Sequence, residues 1–395
     1  MLQMNSTPIT VWAIFGTRPE AIKMLPVVIA MKKDPRFNPV VCVTAQHREM
    51  LDQVMDTFGV KADIDLNIMT PGQSLTELTN RILTKLSLVL QDPSAHNVKK
   101  PDRILVHGDT TTSFVAALAG YYEQIPVGHV EAGLRTNNIY SPFPEEGNRQ
   151  LTKVLADLHF APTPLSANNL RAEGVAENKI VVTGNTVVDA LFWMKEKLLE
   201  QPELADGMNS LVDSVLSKYK NYILVTGHRR ESHGDGFKRI ALALRKIAIE
   251  NKDTAIVYPL HPNPKVSEPI EKALSDIDSI VLIKPQDYAP FIHLMMHCKL
   301  ILTDSGGVQE EAPSLGKPVL VMRDLTERLE AIDAGTVKLV GSDKEKISSN
   351  VEELLNNDAV YKEMSAKSNP YGDGLATNRI LDAIADKHFK NGDKK

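Results

Sequence analysis

The chain has 395 residues, 43% of them hydrophobic and 24% charged, which suits a soluble globular protein long enough for two domains. A formal net charge of −5 gives no global attraction to nucleic acid, so any basic site must be local. Only Cys42 and Cys298 are present, which excludes a disulfide framework and any cysteine-based metal spacing. The polar opening Met1–Pro8 lacks an apolar signal core, and no apolar run approaches membrane-spanning length. The expectation is a cytoplasmic protein with neither a membrane nor a nucleic-acid partner.

The first strand signal is the apolar run Ile9–Phe15. It passes straight into Gly16-Thr17-Arg18-Pro19-Glu20-Ala21-Ile22-Lys23-Met24, a tight turn and a helix start. Thr17 and Glu20 stand at capping-box spacing, and Pro19 fits a first helical turn. Free amides there, beside Arg18 and Lys23, predict a small anionic guest. The plainer alternative is a βα turn with two solvated cations. Strand-like runs follow at Val40–Thr44, Arg103–His107, Pro126–Glu131, Leu158–Ala161 and Ile180–Thr183, with helical stretches such as Thr111–Tyr122 and Glu145–Ala156 among them. The second half repeats the alternation at Tyr222–Thr226, Ala255–Pro259, Ile280–Ile283, Leu300–Thr303, Pro318–Met322 and Val337–Val340. Such βα alternation, with near-continuous apolar strands, predicts an α/β protein of two doubly wound, Rossmann-like domains. The expected domains are 1–188 and 189–369. A turn-rich segment, Asn369–Gly374, leads to a last helix, Ala376–Asp386, expected to pack back on an earlier domain.

Doubly wound folds bind ligands outside the carboxyl ends of their strands, so residues just after strands carry the information. After Arg103–His107 comes Gly108-Asp109-Thr110; Asp109 fits either a helix N-cap or a group that acts on a ligand. After the next strand, Glu131 needs a partner or a task, and Arg135 is the nearest candidate partner. Then Glu145 and Glu146 open a helix, where the helix dipole favours acids and one of them fits a cap. Three acids at neighbouring strand exits raise one another's pKa and suit general acid–base work on a phosphorylated or nucleotide-linked substrate. Divalent-metal binding by the same acids is a weaker competing reading, because nearby cations already supply charge for phosphate. In the second half, His228, Arg229 and Arg230 follow a strand and suit diphosphate recognition; a solvated basic loop is the alternative. Asp304-Ser305-Gly306-Gly307 forms a candidate anion cradle without a dinucleotide or NTPase fingerprint. His261 sits between a strand and two prolines, and Glu327 with Arg328 fits an exposed ion pair.

Taken in order, FGTRPEAIKM, TAQHREML, HGDTTT, HVEAGLR, PFPEEGNR, VTGNTVVDAL, TGHRRES, LTDSGGVQEEAPSLGKPVL, TER and NPYGDG resemble the non-hydrolysing UDP-N-acetylglucosamine 2-epimerases of bacteria. The resemblance spans nearly the whole chain. It implies a glycosyltransferase-B type fold, an active site in the cleft between domains, a closing helix that returns to the first domain, and a homodimer. It also implies interconversion of UDP-GlcNAc and UDP-ManNAc, which feeds bacterial surface polysaccharide. The implied route is elimination of UDP through a bound 2-acetamidoglucal and re-addition, with no metal or redox cofactor. By matching motif positions, Asp109, Glu131 and Glu145 would be the acid/base cluster and His228 a diphosphate-side catalytic group. Substrate contacts would come from Arg18, Lys23, Gln286, Phe291, Ser305, Gly306, Gly307, Glu311 and Arg328. A second, activating UDP-GlcNAc would meet Gln46, His47, Gln73, Arg229 and His261. Two departures stand out: Gly72-Gln73 replaces Arg-Gln, and Leu325 and Leu329 flank a Thr-Glu-Arg that usually sits in Thr-Thr-Glu-Arg-Pro.

Overall fold

Strands built from unbroken aliphatic and aromatic residues must be covered on both faces, which forces helices onto each side of the sheet. The first strand, β1 (Ile9–Phe15), has every residue buried. The computed structural model describes residues 7–46, 48–70, 72–205, 207–227, 235–261 and 263–392. Six further strands complete the first sheet: β2 (Phe37–Val43), β3 (Ile64–Asp65), β4 (Arg103–His107), β5 (Val127–Val130), β6 (Leu158–Ala161) and β7 (Ile180–Val182). The second sheet holds β8 (Asn221–Thr226), β9 (Thr254–Pro259), β10 (Ile280–Ile283), β11 (Leu300–Thr303), β12 (Val319–Val321) and β13 (Val337–Leu339).

The first sheet runs β3-β2-β1-β4-β5-β6-β7 and the second β10-β9-β8-β11-β12-β13. Every pairing is parallel; Trp12, for example, lies opposite Val40 on β2 and Ile104 on β4. In both sheets the chain winds outward from one central strand, then returns to wind the other way. The order therefore reverses between β1 and β4 in one sheet and between β8 and β11 in the other. Loops leaving adjacent strands at such a reversal diverge, and ligands of doubly wound folds bind in the crevice they leave.

The chain divides into two units, residues 1–190 with 371–395, and 191–370. Trp12, Ile14, Ile82, Leu86 and Ile104 anchor one apolar core. Ile223, Val225, Leu244, Ile256 and Leu302 anchor the other. The last helix, Ala376–Gly392, belongs to the first unit and is longer than its sequence pattern suggests. Its first amides, of Ala376 and Thr377, donate to the Asp189 carboxylate at 3.3 and 2.8 Å. Strand β3 was not foreseen; at two residues, with one side chain buried, it has no period to read. Among the described residues, no helix is long and apolar enough to cross a membrane.

Candidate active site

In the first unit, the reversal between β1 and β4 is bridged by protein groups. The helix Arg18–Lys33 starts with a capping box in which the Glu20 carboxylate accepts the amides of Gly16 (3.1 Å) and Thr17 (2.8 Å). The capping box expected of Thr17 and Glu20 is thus present, and Glu20 holds these two amides. Arg18, at the first helical position, makes no hydrogen bond or ion pair with the described residues. Lys23 projects one turn further and pairs with Glu131.

Glu131 lies just beyond β5 with φ +62, a conformation uncommon for a side-chain-bearing residue. Its carboxylate is 9% exposed and takes hydrogen bonds from Lys23 and from Asn185 Nδ2 (2.8 Å), with His107 Nε2 at 3.7 Å. Burial pushes its pKa up, but Lys23, His107 and Asn185 outweigh burial and hold it well below the usual carboxylate range. The partner expected from sequence, Arg135, pairs instead with Glu173 at 2.6 Å. The cause is the turn between them. Gly133 has φ +93, and a Cβ there would stand 2.2 Å from the Ser166 carbonyl. The chain thus runs hard against the helix Pro164–Ala172, and Arg135 meets the acid at that helix's end.

Asp109 follows β4. The N-cap of the next helix is Thr110, whose Oγ1 accepts the Ser113 amide at 3.1 Å, so Asp109 has no capping duty. The Asp109 carboxylate is 26% exposed and pairs with Arg149, and its carbonyl accepts Asn148 Nδ2 at 2.8 Å. Gly108 is fixed from below by His129, whose Nε2 donates to its carbonyl at 2.7 Å. The Cβ position of Gly108 stands 3.7 Å from Glu131 Oε1, so the exits of β4 and β5 lie together.

The helix Glu145–Leu155 separates its two acids by role. Glu146 is fully buried and structural: its carboxylate accepts the Thr136 amide (3.1 Å) and pairs with Arg149 (3.1 Å). Glu145 is half-buried, and its Oε2 is buried without a hydrogen-bond partner among the described residues. Mutual repulsion among the carboxylates, expected from sequence, is not what sets this site. Arg149 stands by Asp109 and Glu146, and Lys23 stands by Glu131. Among the described residues, no three His, Cys, Asp or Glu side chains are grouped to hold a metal.

The second unit repeats the pattern at its own reversal. Thr226 at the end of β8 and Thr303 at the end of β11 share a hydroxyl hydrogen bond at 2.5 Å. Thr303 Oγ1 also accepts the Ser305 amide at 2.9 Å, shaping the turn into the helix Gly306–Glu311. The Arg328 guanidinium lies over Gly306, where a Cβ would come within 2.7 Å of its central carbon. Arg328 donates to Glu310 Oε1 at 2.9 and 3.0 Å and stands 3.4 Å from Glu327. The exposed ion pair expected for Glu327 and Arg328 is thus a half-buried network, because Arg328 turns inward onto the glycine. Glu311 is buried and accepts the Tyr288 hydroxyl at 3.0 Å. Gln286 and Phe291 flank Tyr288, both half-buried, with Gln286 Nε2 donating to the Lys284 carbonyl at 2.7 Å.

Gln46 and Gln73 each carry a buried side-chain oxygen without a hydrogen-bond partner among the described residues. His261 Nδ1 accepts the Asn263 amide at 3.2 Å. His47, His228 and Arg229 lie outside the described residues. Sequence reasoning missed Asn185, His107, Asn148 and Arg149 as partners of the acids. Asn185 sits in VTGNTVVDAL and Arg149 in PFPEEGNR, so their segments stood out, but which acid each would reach did not.

A family model described as UDP-N-acetylglucosamine 2-epimerase matches residues 29–385. The UDP-N-acetylglucosamine 2-epimerase of Yersinia pestis is 58% identical over 374 residues, covering 95% of this chain and 98% of that one. A crystal structure of UDP-GlcNAc 2-epimerase from Neisseria meningitidis bound to UDP-GlcNAc is 51% identical, with a TM-score of 0.85 over 95% of this chain and 99% of that one. At 10% identity, a glycosyltransferase of kitacinnamycin shares the fold alone, with a TM-score of 0.61 over 96% of this chain and 99% of that one. Together with two parallel α/β units, these likenesses give a glycosyltransferase-B-like fold, and the chain belongs to the bacterial, non-hydrolysing UDP-N-acetylglucosamine 2-epimerase family.

Proposed function

We propose that the protein interconverts UDP-GlcNAc and UDP-ManNAc by eliminating UDP and adding it back. The observation that carries this reading is the buried Glu131, held by Lys23 and Asn185 at the exit of β5 beside the Asp109 loop. The C2 proton of the sugar is not acidic, so direct deprotonation would leave a carbanion with nothing to receive its charge. In elimination, a carboxylate takes the C2 proton while the C1–oxygen bond breaks and its electron pair leaves with UDP. The sugar becomes 2-acetamidoglucal. Protonation of C2 on the opposite face and return of UDP to C1 give the epimer, and the proton count balances over the cycle.

Asp109, Glu131 and Glu145 are the acid/base groups in this scheme. Lys23, His107 and Asn185 favour the ionised form of Glu131, and the buried Oε2 of Glu145 has no hydrogen-bond partner among the described residues. Arg18 and Lys23 supply positive charge for the departing diphosphate from the first unit. In the second unit, Ser305, Gly306 and Gly307 hold diphosphate and Glu311 the ribose, with Gln286 and Phe291 near uracil and Arg328 as a further contact. His228 assists on the diphosphate side. A second UDP-GlcNAc acts as activator through Gln46 and Gln73, a role supported by their two unsatisfied buried oxygens. The product supplies ManNAc units for surface polysaccharide.

Proton NMR of UDP-GlcNAc with the enzyme in heavy water tests the route. The expected result is deuterium at C2 of both nucleotide sugars, with a trace of free UDP and glucal. Epimerisation without solvent deuterium at C2 would falsify the elimination scheme, and free ManNAc as the main product would point to hydrolysis.

A further inference from the structure

Glu20 is 2% exposed and reaches both loops that part between β1 and β4. Oxygen Oε2 accepts the amides of Gly16 and Thr17 and the Thr17 hydroxyl (2.8 Å). Oxygen Oε1 accepts the hydroxyls of Thr110 at 2.7 Å and Ser113 at 3.0 Å, some ninety positions along the chain. Five donor groups surround the carboxylate, one of them, the Ser113 hydroxyl, shared with the His107 carbonyl, and no cation among the described residues pairs with it.

Capping alone does not call for this arrangement. A second capping box in the same chain, Ser74 with Glu77, provides the comparison. There Glu77 Oε2 accepts the Ser74 amide and hydroxyl at 2.7 and 2.9 Å, and Oε1 accepts nothing from the described residues. That box is exposed. Glu20 instead keeps a carboxylate buried, a costly placement that a surface cap avoids. Its extra contacts go to Thr110, next to Asp109, and to the first turn of the following helix.

We propose that Glu20 is a positioning residue that locks the loop bearing Asp109 to the helix start bearing Arg18 and Lys23, so that the acid/base and cationic groups keep one spacing. The inference rests on the reading of Asp109 as an acid/base group. Glutamine has nearly the shape of Glu20 but one acceptor oxygen and no charge; with that oxygen on the two backbone amides, its nitrogen must reverse the bonds to the Thr110 and Ser113 hydroxyls, which changes the link to the Asp109 loop. Ser113→Ala removes the hydroxyl that ties Glu20 to the Asp109 side, together with that hydroxyl's bond to the His107 carbonyl, and leaves the capping box whole.

The test compares wild type, Glu20→Gln, Ser113→Ala, Asp109→Asn and the Glu20→Gln/Asp109→Asn double variant. Folding is checked by circular dichroism, and slow turnover is read by deuterium uptake at C2. Misplacement of a catalytic group by about 1 Å costs up to ~100-fold in rate, so Glu20→Gln is expected to lower kcat by ~10- to 100-fold. Ser113→Ala shifts it the same way by less, and KM changes less than about threefold in both. In the Asp109→Asn background, Glu20→Gln is expected to cost less than about twofold, because the group it positions is already gone. Wild-type kcat in Glu20→Gln and Ser113→Ala, or an equal Glu20→Gln penalty in both backgrounds, overturns the proposal. If Glu20→Gln fails to fold, the same cycle with Ser113→Ala decides. A slow Asp109→Asn with unimpaired partners sinks this inference alone; a fully active Asp109→Asn sinks the acid/base reading and the inference with it.

Discussion

Glu131 shows how much of a site depends on partners that lie far away in sequence. Lys23 is 108 positions before it and Asn185 54 positions after it. The acid itself was legible, because a carboxylate at the end of an apolar strand needs an explanation. Its partners were not, because strand order alone brings them together, and Arg135 stood closer along the chain. The pairing has a measurable consequence. Lys23, His107 and Asn185 stabilise the ionised form against burial, so removing Lys23 must raise the Glu131 pKa. With Lys23 present, any acid limb from Glu131 falls below the ordinary carboxylate range. Lys23→Met is expected to lift that limb into the range of kcat/KM measurements and to slow turnover by ~100-fold or more. Asn185→Ala should move it the same way with a loss of about tenfold. A Lys23→Met enzyme whose acid limb stays put would separate Glu131 from the titrating step.

Strands and helices carry the next level of constraint. Strand positions were readable in the sequence because each is an apolar run bounded by turn residues. The observed ends differ by a few residues, as at β2, which begins at Phe37 and not Val40. Less legible was what the parallel register places side by side. His129 on β5 lies opposite His159 on β6, both 1% exposed. Burial lowers the His129 pKa from 6.5 to about 3, with His159, His107 and Arg135 adding to the drop. Burial lowers that of His159 to about 4, against a pull upward from Asp157. Both imidazoles therefore stay neutral in the folded protein while the unfolded chain takes up protons below pH 6.5. Stability is full above that value and falls as pH drops toward 4, by at most ~1.4 kcal/mol per pH unit for each histidine. Urea melts at pH 7 and pH 5 should show this loss, and His159→Gln should flatten it. Equal slopes in the two proteins would remove His159 from the effect. A second element-scale test uses the helix at Gly306. Gly306→Ala forces Arg328 off the turn, and a loss of UDP affinity of about tenfold is expected by calorimetry, with the fold retained.

At the scale of the molecule, two doubly wound sheets follow directly from the βα rhythm of the chain. Why the last helix joins the first unit is a matter of single contacts that no rhythm encodes. The chain returns at Tyr371, whose carbonyl accepts the Asn185 amide at 2.6 Å, and Asp189 then caps the helix Ala376–Gly392. Burial raises the Asp189 pKa, and the Thr377 and Ala376 amides pull it back. Replacing a capping carboxylate by alanine typically costs ~1–2 kcal/mol, and buried amides left without an acceptor add to it. Trp12 lies in the core of the first unit and reports on it, whereas Trp193 shares the helix Thr186–Glu200 with Asp189. In a Trp193→Phe background, Asp189→Ala should lower the urea midpoint read by Trp12 fluorescence. Asp189→Asn keeps one acceptor oxygen without an ionised group to bury, so its loss should be smaller than that of Asp189→Ala. An unmoved Trp12 transition in Asp189→Ala would mean that the last helix is held by its apolar face, through Ile380, Leu381 and Ile384, and owes nothing to its cap.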